Sequence, residues 1–258
     1  MIRGIWDRET VALILVAALA PVAVLWLAEA RGAGAVRLVS FVLTIGILHL
    51  LFMLARAQPP SAAALVTALA LAVFTPEGLG PVQLLLGIAF GVVMADLAFG
   101  GWGRNILNPA TVALAFLGFG FPAAPWPDVA VQVGWAALPA LAFGVLAGVM
   151  PGGVVAGAAL ALGAASALGL PLGPAVPALL AGLALLVCDP VASASTPLGR
   201  WLNGALFGGL AAAFLAGWDG AHPVQIVVSA ALLAALAAPL LDEIAIALWL
   251  YRRRRRLG

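Results

Sequence analysis

Two apolar segments of this chain end abruptly at a proline: Leu71-Ala-Val-Phe-Thr75-Pro76 and Leu185-Leu-Val-Cys188-Asp189-Pro190. They close apolar runs of about 14 residues, 62–75 and 175–188, whereas a helix that crosses about 30 Å of hydrocarbon needs about 20 residues. The two segments lie five spans apart, so we expect them to enter the membrane with opposite orientations. Matching short, proline-interrupted segments in two halves are typical of inverted-repeat membrane proteins with a site near the midplane.

The composition around these segments excludes a water-soluble domain. Of the 258 residues, 65% are hydrophobic and 9% are charged, and the mean hydropathy is +1.18. A soluble domain carries about 25% charged residues, which cover its surface. The chain is therefore predicted to be an all-α integral membrane protein.

Proline, glycine and charged residues divide the sequence into ten apolar spans. We predict a single transmembrane domain, residues 1–258, built as a 5+5 inverted repeat with two short or broken helices. Its half-repeats are approximately 1–121 and 129–251. The spans are 10–28, 36–55, 62–75, 81–99, 106–121, 129–149, 152–169, 175–188, 200–217 and 223–250.

All twelve basic residues are arginines, and their positions predict the topology. With an even number of spans both termini lie on one side, and placing them in the cytoplasm leaves ten arginines inside and two outside, as the positive-inside rule requires. The inside set is Arg3, Arg8, Arg56, Arg104, Arg200 and Arg252 to Arg256, and the outside set is Arg31 and Arg37. We therefore predict a multi-pass protein of a bacterial inner membrane with cytoplasmic termini. The arginine tail is interpreted as an anchor near anionic lipid headgroups, not as a nucleic-acid-binding face.

A glycine-rich loop precedes the fifth span, in Asp96-Leu-Ala-Phe-Gly100-Gly101-Trp-Gly103-Arg104-Asn105-Ile-Leu-Asn108-Pro109. Three glycines in four residues allow a tight turn and the close approach of another group. Free N–H groups at the helix start that follows are suited to an anion. A tight turn with an asparagine cap explains the same residues without a ligand. No strand precedes the loop, so it is not a nucleotide-binding fingerprint.

Three polar residues within or at the ends of spans are predicted to lie on an ion path: Asp189, Thr75 and Asp96. An aspartate at a helix centre costs about 2.5–3.5 kcal/mol on insertion scales, so its presence there indicates a function. Asp96 lies near the inner end of the fourth span with Arg104 as a natural partner; a solvated interfacial aspartate is the alternative. Asp189 begins an irregular polar string that runs to Thr196, whose groups are suited either to hold a cation or to cap the next helix.

The remaining reactive residues predict no catalytic residues and no metal site. His49 and His222 are too few and too separated for a metal cluster, and the single Cys188 builds neither a disulfide nor a thiolate site. His49, inside the second span, is interpreted as hydrogen-bonded to a neighbouring helix, with a haem or proton role as the alternative.

Four stretches read together resemble the RnfD/NqrB family of membrane redox subunits. They are Ser61-Ala-Ala-Ala-Leu-Val-Thr67-Ala-Leu, Gly100-Gly-Trp-Gly-Arg-Asn105-Ile-Leu-Asn108-Pro-Ala, Asp189-Pro-Val-Ala-Ser193-Ala-Ser195 and Ala238-Pro-Leu-Leu-Asp242. Their order and spacing match the family over roughly residues 60–245. The resemblance implies a ten-helix, inverted-repeat subunit of a complex that couples electron flow through flavins and iron–sulfur centres to movement of Na⁺ or H⁺.

The resemblance also implies partners and a cofactor. The partners are other membrane and peripheral subunits, and this chain is then a non-catalytic or electron-carrying subunit of an oxidoreductase. A non-covalent flavin, FMN or riboflavin, is expected at the two polar loops. The predicted cofactor-binding residues are Gly100, Gly101, Gly103, Asn105, Asn108, Ser193 and Thr196. The family usually carries an outer-loop Ser-Gly-Ala-Thr motif whose threonine is esterified to FMN, but residues 121–131 contain neither Ser nor Thr, so covalent FMN is not expected.

A small-solute channel or carrier is the alternative function. It follows from the similarity between the fold of this family and that of urea transporters. Solute flux through the isolated chain favours the alternative, whereas partner subunits or a bound yellow cofactor favour the redox complex.

Overall fold

The computed structural model describes residues 7–257 and contains no β-strand in that range. Arg3 and the side chain of Arg256, both used for the topology, lie outside what it describes. The nine α-helices of the same range are α1 Arg8–Arg56, α2 Ala63–Phe74, α3 Pro81–Ala95, α4 Pro109–Gly120, α5 Val131–Leu146, α6 Gly152–Ala167, α7 Val176–Gly182, α8 Pro197–Gly217 and α9 Pro223–Leu257. The prediction of an all-α protein is confirmed.

Helix α1 folds back on itself at Arg31, whose φ of 51° and ψ of −143° interrupt the helical backbone. A straight helix of 49 residues would be about 70 Å long. The two ends of α1 nevertheless reach one short loop. The Arg8 guanidinium donates to the Trp102 carbonyl over 3.1 Å, and that of Arg56 donates to the Ala98 carbonyl over 3.4 Å. The arms on either side of Arg31 therefore run in opposite directions.

The outer surface of the bundle identifies a membrane protein. Large apolar side chains point outward; Leu54, for example, is 81% exposed and Leu146 is 87% exposed. Three helical stretches are long and apolar enough to cross a bilayer: Arg8–Arg56, Pro81–Phe99 and Pro223–Arg255. An apolar surface of this extent is stable in lipid, whereas in water it is a liability for aggregation.

Several helices are shorter than the predicted spans, for local reasons. Helix α3 ends at Ala95 because Asp96 leaves the helical region, with φ −122° and ψ −68°. Helix α4 begins only at Pro109, because the glycine loop occupies the residues before it and Asn108 forms the N-cap. Proline is favoured at a first helical position, since its missing N–H has no helical partner there.

The bundle has two ends, named here for the residues that mark them. At the Thr75 end, the Arg37 guanidinium donates to the Thr75 carbonyl, and Glu77 N donates to the Pro125 carbonyl over 2.8 Å. At the Asp189 end, the start of α1, the loop before α2 and the glycine loop meet. Helix α2 runs between the two ends, since Ala62 N donates to Glu9 at its start.

Helices α6 and α8 pack closely through paired glycines, which the sequence patterns did not identify. A Cβ at Gly157 of α6 would overlap the Trp201 carbonyl, and a Cβ at Gly204 of α8 would overlap the Val154 carbonyl. Glycines four residues apart, 153 and 157 on α6 and 204 and 208 on α8, form small-xxx-small interfaces of the kind that let membrane helices approach closely.

Candidate ion and cofactor site

The seventh helix breaks where the sequence predicted a broken helix. Helix α7 widens into a π-turn, Leu183–Val187, in which Cys188 N donates to the Leu183 carbonyl over 2.9 Å. Pro190 has no N–H with which to continue the ladder. Single π-turns of this type are frequent at functional sites. Asp189 is left at the end of the turn, buried to 8% exposure.

Both carboxylate oxygens of Asp189 have hydrogen-bond donors. Oδ1 accepts from Val191 N over 2.8 Å and from Ala192 N over 3.3 Å, and Oδ2 accepts from the Asn108 Nδ2 amide over 3.2 Å. Charge-assisted hydrogen bonds are about twice as strong as neutral ones, so these three offset part of the cost of burying the carboxylate. The Asn108 contact joins two segments 81 residues apart.

Asn108 serves a second purpose at the same time. Its Oδ1 accepts from Thr111 N over 3.1 Å and so caps α4. One amide therefore fixes the start of α4 and, through Nδ2, the carboxylate at the end of the α7 turn. The asparagine cap and the ion-path aspartate, which were predicted separately, lie in contact.

A small cavity, with about 10 Å³ of space for the centre of a water molecule, lies beside this pair. This is room for about one water. Its walls come from the first arm of α1, the start of α2, the glycine loop, α4 and the π-turn. The lining residues that carry polar groups are Thr67, Trp102, Asn108 and Asp189. The two short spans therefore meet at this cavity, through the first turns of α2 and the π-turn after α7.

Thr75 lies elsewhere. It follows the last turn of α2, about 12–18 Å along the helix axis from the residues of α2 that line the Asp189 cavity. Thr75 lines a separate cavity at the Thr75 end, together with Arg37, Ser40 and Glu77. Its buried Oγ1 has no hydrogen-bond partner among the described residues.

The glycine loop takes the backbone conformation that glycine permits. Gly100, Gly101 and Gly103 have φ values of 110°, 87° and 97°. Gly101 N donates to the Asp96 carbonyl over 3.1 Å and closes the turn after α3. Asn105 holds the second half of the loop, because its Oδ1 accepts from Gly103 N and its Nδ2 donates to the Leu107 carbonyl.

The space beside these glycines is filled by the protein itself. A Cβ at Gly101 would lie 2.5 Å from Gln58 Nε2, and one at Gly103 would lie 3.1 Å from Arg8 Cδ. A Cβ at Gly100 would lie 3.2 Å from Arg104 Cδ. The side chains of Gln58, Arg8 and Arg104 therefore lie against the three glycines of the loop.

Thr196, another residue predicted to bind the cofactor, is held by the last helix. Asp242 of α9 accepts from Ser195 N and Oγ over 2.8 and 2.9 Å, and from Thr196 N and Oγ1 over 2.9 and 2.5 Å. Thr196 Oγ1 also accepts from Gly199 N and caps α8. We call this arrangement the Asp242 clamp. Ser193 differs from its neighbours, since its buried Oγ has no partner in the described part of the chain.

Asp96 is buried to 4% exposure, and the ionisable side chain within 4 Å of its carboxylate is that of His49 and not that of Arg104. Its Oδ2 lies 3.9 Å from His49 Nε2. The other oxygen, Oδ1, has no hydrogen-bond partner within the described residues. The two residues were interpreted separately from the sequence, because nothing in the spacing of 49 and 96 indicates that they meet.

A carboxylate buried at a broken helix of a membrane bundle is a feature of membrane proteins that handle ions or protons. Residues 3–176 match the family described as NQR2, RnfD, RnfE. The chain belongs to this family, as its motifs predicted.

Curated relatives agree with the family assignment. The chain is 28% identical over 271 residues to a subunit of the Na(+)-translocating NADH-quinone reductase of Pseudomonas aeruginosa strain LESB58, a match that covers 83% of this chain and 67% of the relative. It is 44% identical over 78 residues to the protein of the same name from Klebsiella pneumoniae strain 342. That shorter match covers 30% of this chain and 19% of the relative.

Proposed function

We propose that this chain is a membrane subunit of a redox-driven electron-transport complex and helps to couple electron transfer to movement of Na⁺ or H⁺. The observation that carries the proposal is the buried Asp189, held by Asn108 beside the Asp189 cavity. Membership of the family and the names of its relatives supply the redox context.

The electrostatics of the cavity suit a cation. Its walls are mostly apolar, and Asp189 is the carboxylate among its lining residues. In such surroundings a single negative charge acts on a cation far more strongly than it would in water. Asn108 and Thr67 add neutral dipoles beside it, whereas Asn105 is engaged within its own loop. We place Thr75 and Asp96 on the same path, with Thr75 nearer the opposite membrane face.

We further propose that the chain is a ten-span inverted repeat, and the prolines support this arrangement. Five pairs of prolines lie 114 to 118 residues apart at matching places in the two halves. The pairs are Pro21 and Pro139, Pro60 and Pro174, Pro76 and Pro190, Pro81 and Pro197, and Pro109 and Pro223. Pro81 and Pro197 open α3 and α8, and Pro109 and Pro223 open α4 and α9. Such a repeat puts Thr75 and Asp189 at equivalent positions on opposite sides of the membrane.

The packing of the helices supports the same repeat. Helix α3 packs on α4 as α8 packs on α9, and α2 packs on α4 as α7 packs on α9. Helix α1 contacts α2 as α5 contacts α7. In this scheme the two arms of α1 correspond to α5 and α6. Inverted-repeat proteins place their ion sites where the halves meet, which is where Asn108 of the first half contacts Asp189 of the second.

The partners in this proposal are other membrane and peripheral subunits of the complex. A flavin of the complex, FMN or riboflavin, would supply electron transfer, and its non-covalent binding at the glycine loop and at Ser193 and Thr196 stays a prediction. The residues of this chain contribute by holding the charge of Asp189 in place and by excluding water around it.

The proposal is tested by reconstitution. We expect the complex purified through this chain to drive Na⁺ or H⁺ uptake into proteoliposomes when an electron donor is oxidised, and to lose that uptake when the chain is omitted. Proteoliposomes that contain the chain alone should show no electron-independent flux of urea or similar solutes. Solute flux through the isolated chain, without redox-driven uptake by the complex, would instead establish the channel.

The orientation gives a separate prediction. The loop around Asp128 should face the outside, because the arginines collect at the Asp189 end of the bundle. The Asp128 side chain is 97% exposed, and its ion pair with His222 at a solvated surface contributes little. Asp128→Cys should react with an impermeant thiol reagent in intact cells, and Arg104→Cys should react only after lysis. The reverse pattern would invert the topology.

A further inference from the structure

A buried pair of ionisable side chains lies at the Asp189 end, outside the walls of the Asp189 cavity. His49, from the second arm of α1, and Asp96, after α3, are each 4% exposed, and their Nε2 and Oδ2 atoms are 3.9 Å apart. Asp96 Oδ1 is buried without a hydrogen-bond partner among the described residues. The amide Nε2 of Gln58, which is also buried and unpartnered, contacts the Gly101 turn that follows Asp96.

We propose that His49 and Asp96 share one proton and form a proton-binding site of this chain. The role of this site rests on the proposed function, because a proton bound there would take part in the coupling of electron transfer to ion movement. It assigns His49 a direct part in that coupling.

Charge balance inside the bundle determines that the pair holds one proton. Neutral imidazole beside a protonated carboxyl is uncharged overall, and so is imidazolium beside a carboxylate. Removing the proton leaves a bare carboxylate in an apolar interior, and adding a second leaves a buried cation, so both changes are costly. The proton therefore belongs to the pair and not to either residue alone.

The chemistry around Asp96 suits a proton better than a metal cation. The nearest charged partner of its carboxylate is a ring nitrogen, whereas hard cations are held by several oxygens. In the described part of the chain, His, Cys, Asp and Glu form no group of three that could hold a metal ion. The surroundings of Asp189 differ, because three N–H groups donate to its carboxylate and stabilise its charged form.

Other charged groups act on the pair from two segments, the start of α1 and the turn after α7. Asp189 and Arg8 act on Asp96, and Glu9 acts on His49. Arg8 is partly neutralised by Glu9, its neighbour at 3.1 Å. The negative charge of Asp189 opposes ionisation of Asp96 and so favours retention of the proton. A cation that enters the Asp189 cavity would remove that opposition.

The test uses the full chain in lipid nanodiscs and pH-difference infrared spectroscopy, which detects the carbonyl stretch of a protonated carboxyl group. We expect a titrating band that shifts in D₂O, disappears in Asp96→Asn, and changes its titration midpoint in His49→Gln. Glutamine retains an N–H donor but takes up no proton. The band should persist in the matched control Asp189→Asn.

Three results would overturn the proposal. They are the absence of a titrating band, a band that is still present in Asp96→Asn, and a band whose titration midpoint is unchanged in His49→Gln. A band that responds to added Na⁺ at constant pH but not to pH would make Asp96 a sodium ligand instead. If Asp96→Asn does not fold, two measurements still test the proposal. They are the titration midpoint in His49→Gln and the shift of the band in D₂O in the native chain. The chain needs no redox partner in this assay. A result that contradicts the shared proton therefore leaves the proposed function unaffected. In turn, a chain that transports no ions can still show the titrating band of the His49–Asp96 pair.

Discussion

Asp189→Asn is expected to reduce redox-driven ion uptake by the reconstituted complex to background while the complex still assembles. The substitution removes the buried charge but keeps the shape of the side chain, and the Asn oxygen can still accept from Val191 N and Ala192 N. Its new amide then faces Asn108 Nδ2, so two donors oppose each other. The unmade hydrogen bond costs about 1–3 kcal/mol of stability, which lowers the melting temperature without preventing folding.

A charge exchange separates the loss of the charge from the loss of the hydrogen bond. In the double variant Asp189→Asn with Asn108→Asp, the new aspartate still caps α4 through Thr111 N and accepts from the amide at position 189. The negative charge returns to the same cavity, one side chain away. We expect the double variant to regain stability and part of the ion uptake. Normal ion uptake by Asp189→Asn alone would mean that Asp189 only caps the turn after α7. The assignment of the ion site would then be wrong, whereas the family assignment would be unaffected.

Gly204→Ala is expected to destabilise the fold by about 3 kcal/mol, the upper end of the usual cost of overpacking. Its added Cβ would overlap the Val154 carbonyl, which is backbone and cannot rotate away, so α6 and α8 must separate. Alanine is the better helix former by about 1 kcal/mol, so intrinsic propensity predicts the opposite sign.

Gly209→Ala on the same helix is the matched control, because an added Cβ there meets nothing within 4 Å. We expect its melting temperature in detergent to be equal to or above that of the native chain, whereas Gly204→Ala lowers it or prevents purification. Equal melting temperatures for the two variants would mean that the paired glycines do not set the distance between α6 and α8.

The sequence was informative where one residue imposes a local conformation. Pro190 and Pro76 indicated where apolar segments stop, the three glycines indicated a tight turn, and Asn108 before Pro109 indicated a helix start. Each of these effects acts over one or two turns of chain. Family membership could be predicted for the same reason, because the motifs that carry it are short strings of such residues.

Contacts between distant segments could not be predicted from the same patterns. The His49 and Asp96 side chains meet because α1 folds back at Arg31, and no periodicity in the sequence indicates that turn. The filling of the space beside Gly101 by Gln58 also depends on how separate segments pack. A glycine-rich string has the same sequence whether its neighbour is a cofactor or a glutamine, so the cofactor-binding set was the least determined part of the prediction.

The Asp242 clamp has a consequence for how the protein is made. Asp242 follows Thr196 by 46 residues, so at about 5–20 residues per second the ribosome adds Asp242 about 2–9 s after it has added Thr196. Throughout that interval the segment between Asp189 and α8 has been synthesised but lacks its hydrogen bonds to Asp242. The Asp189 end can therefore be completed only after Asp242 of α9 has been synthesised.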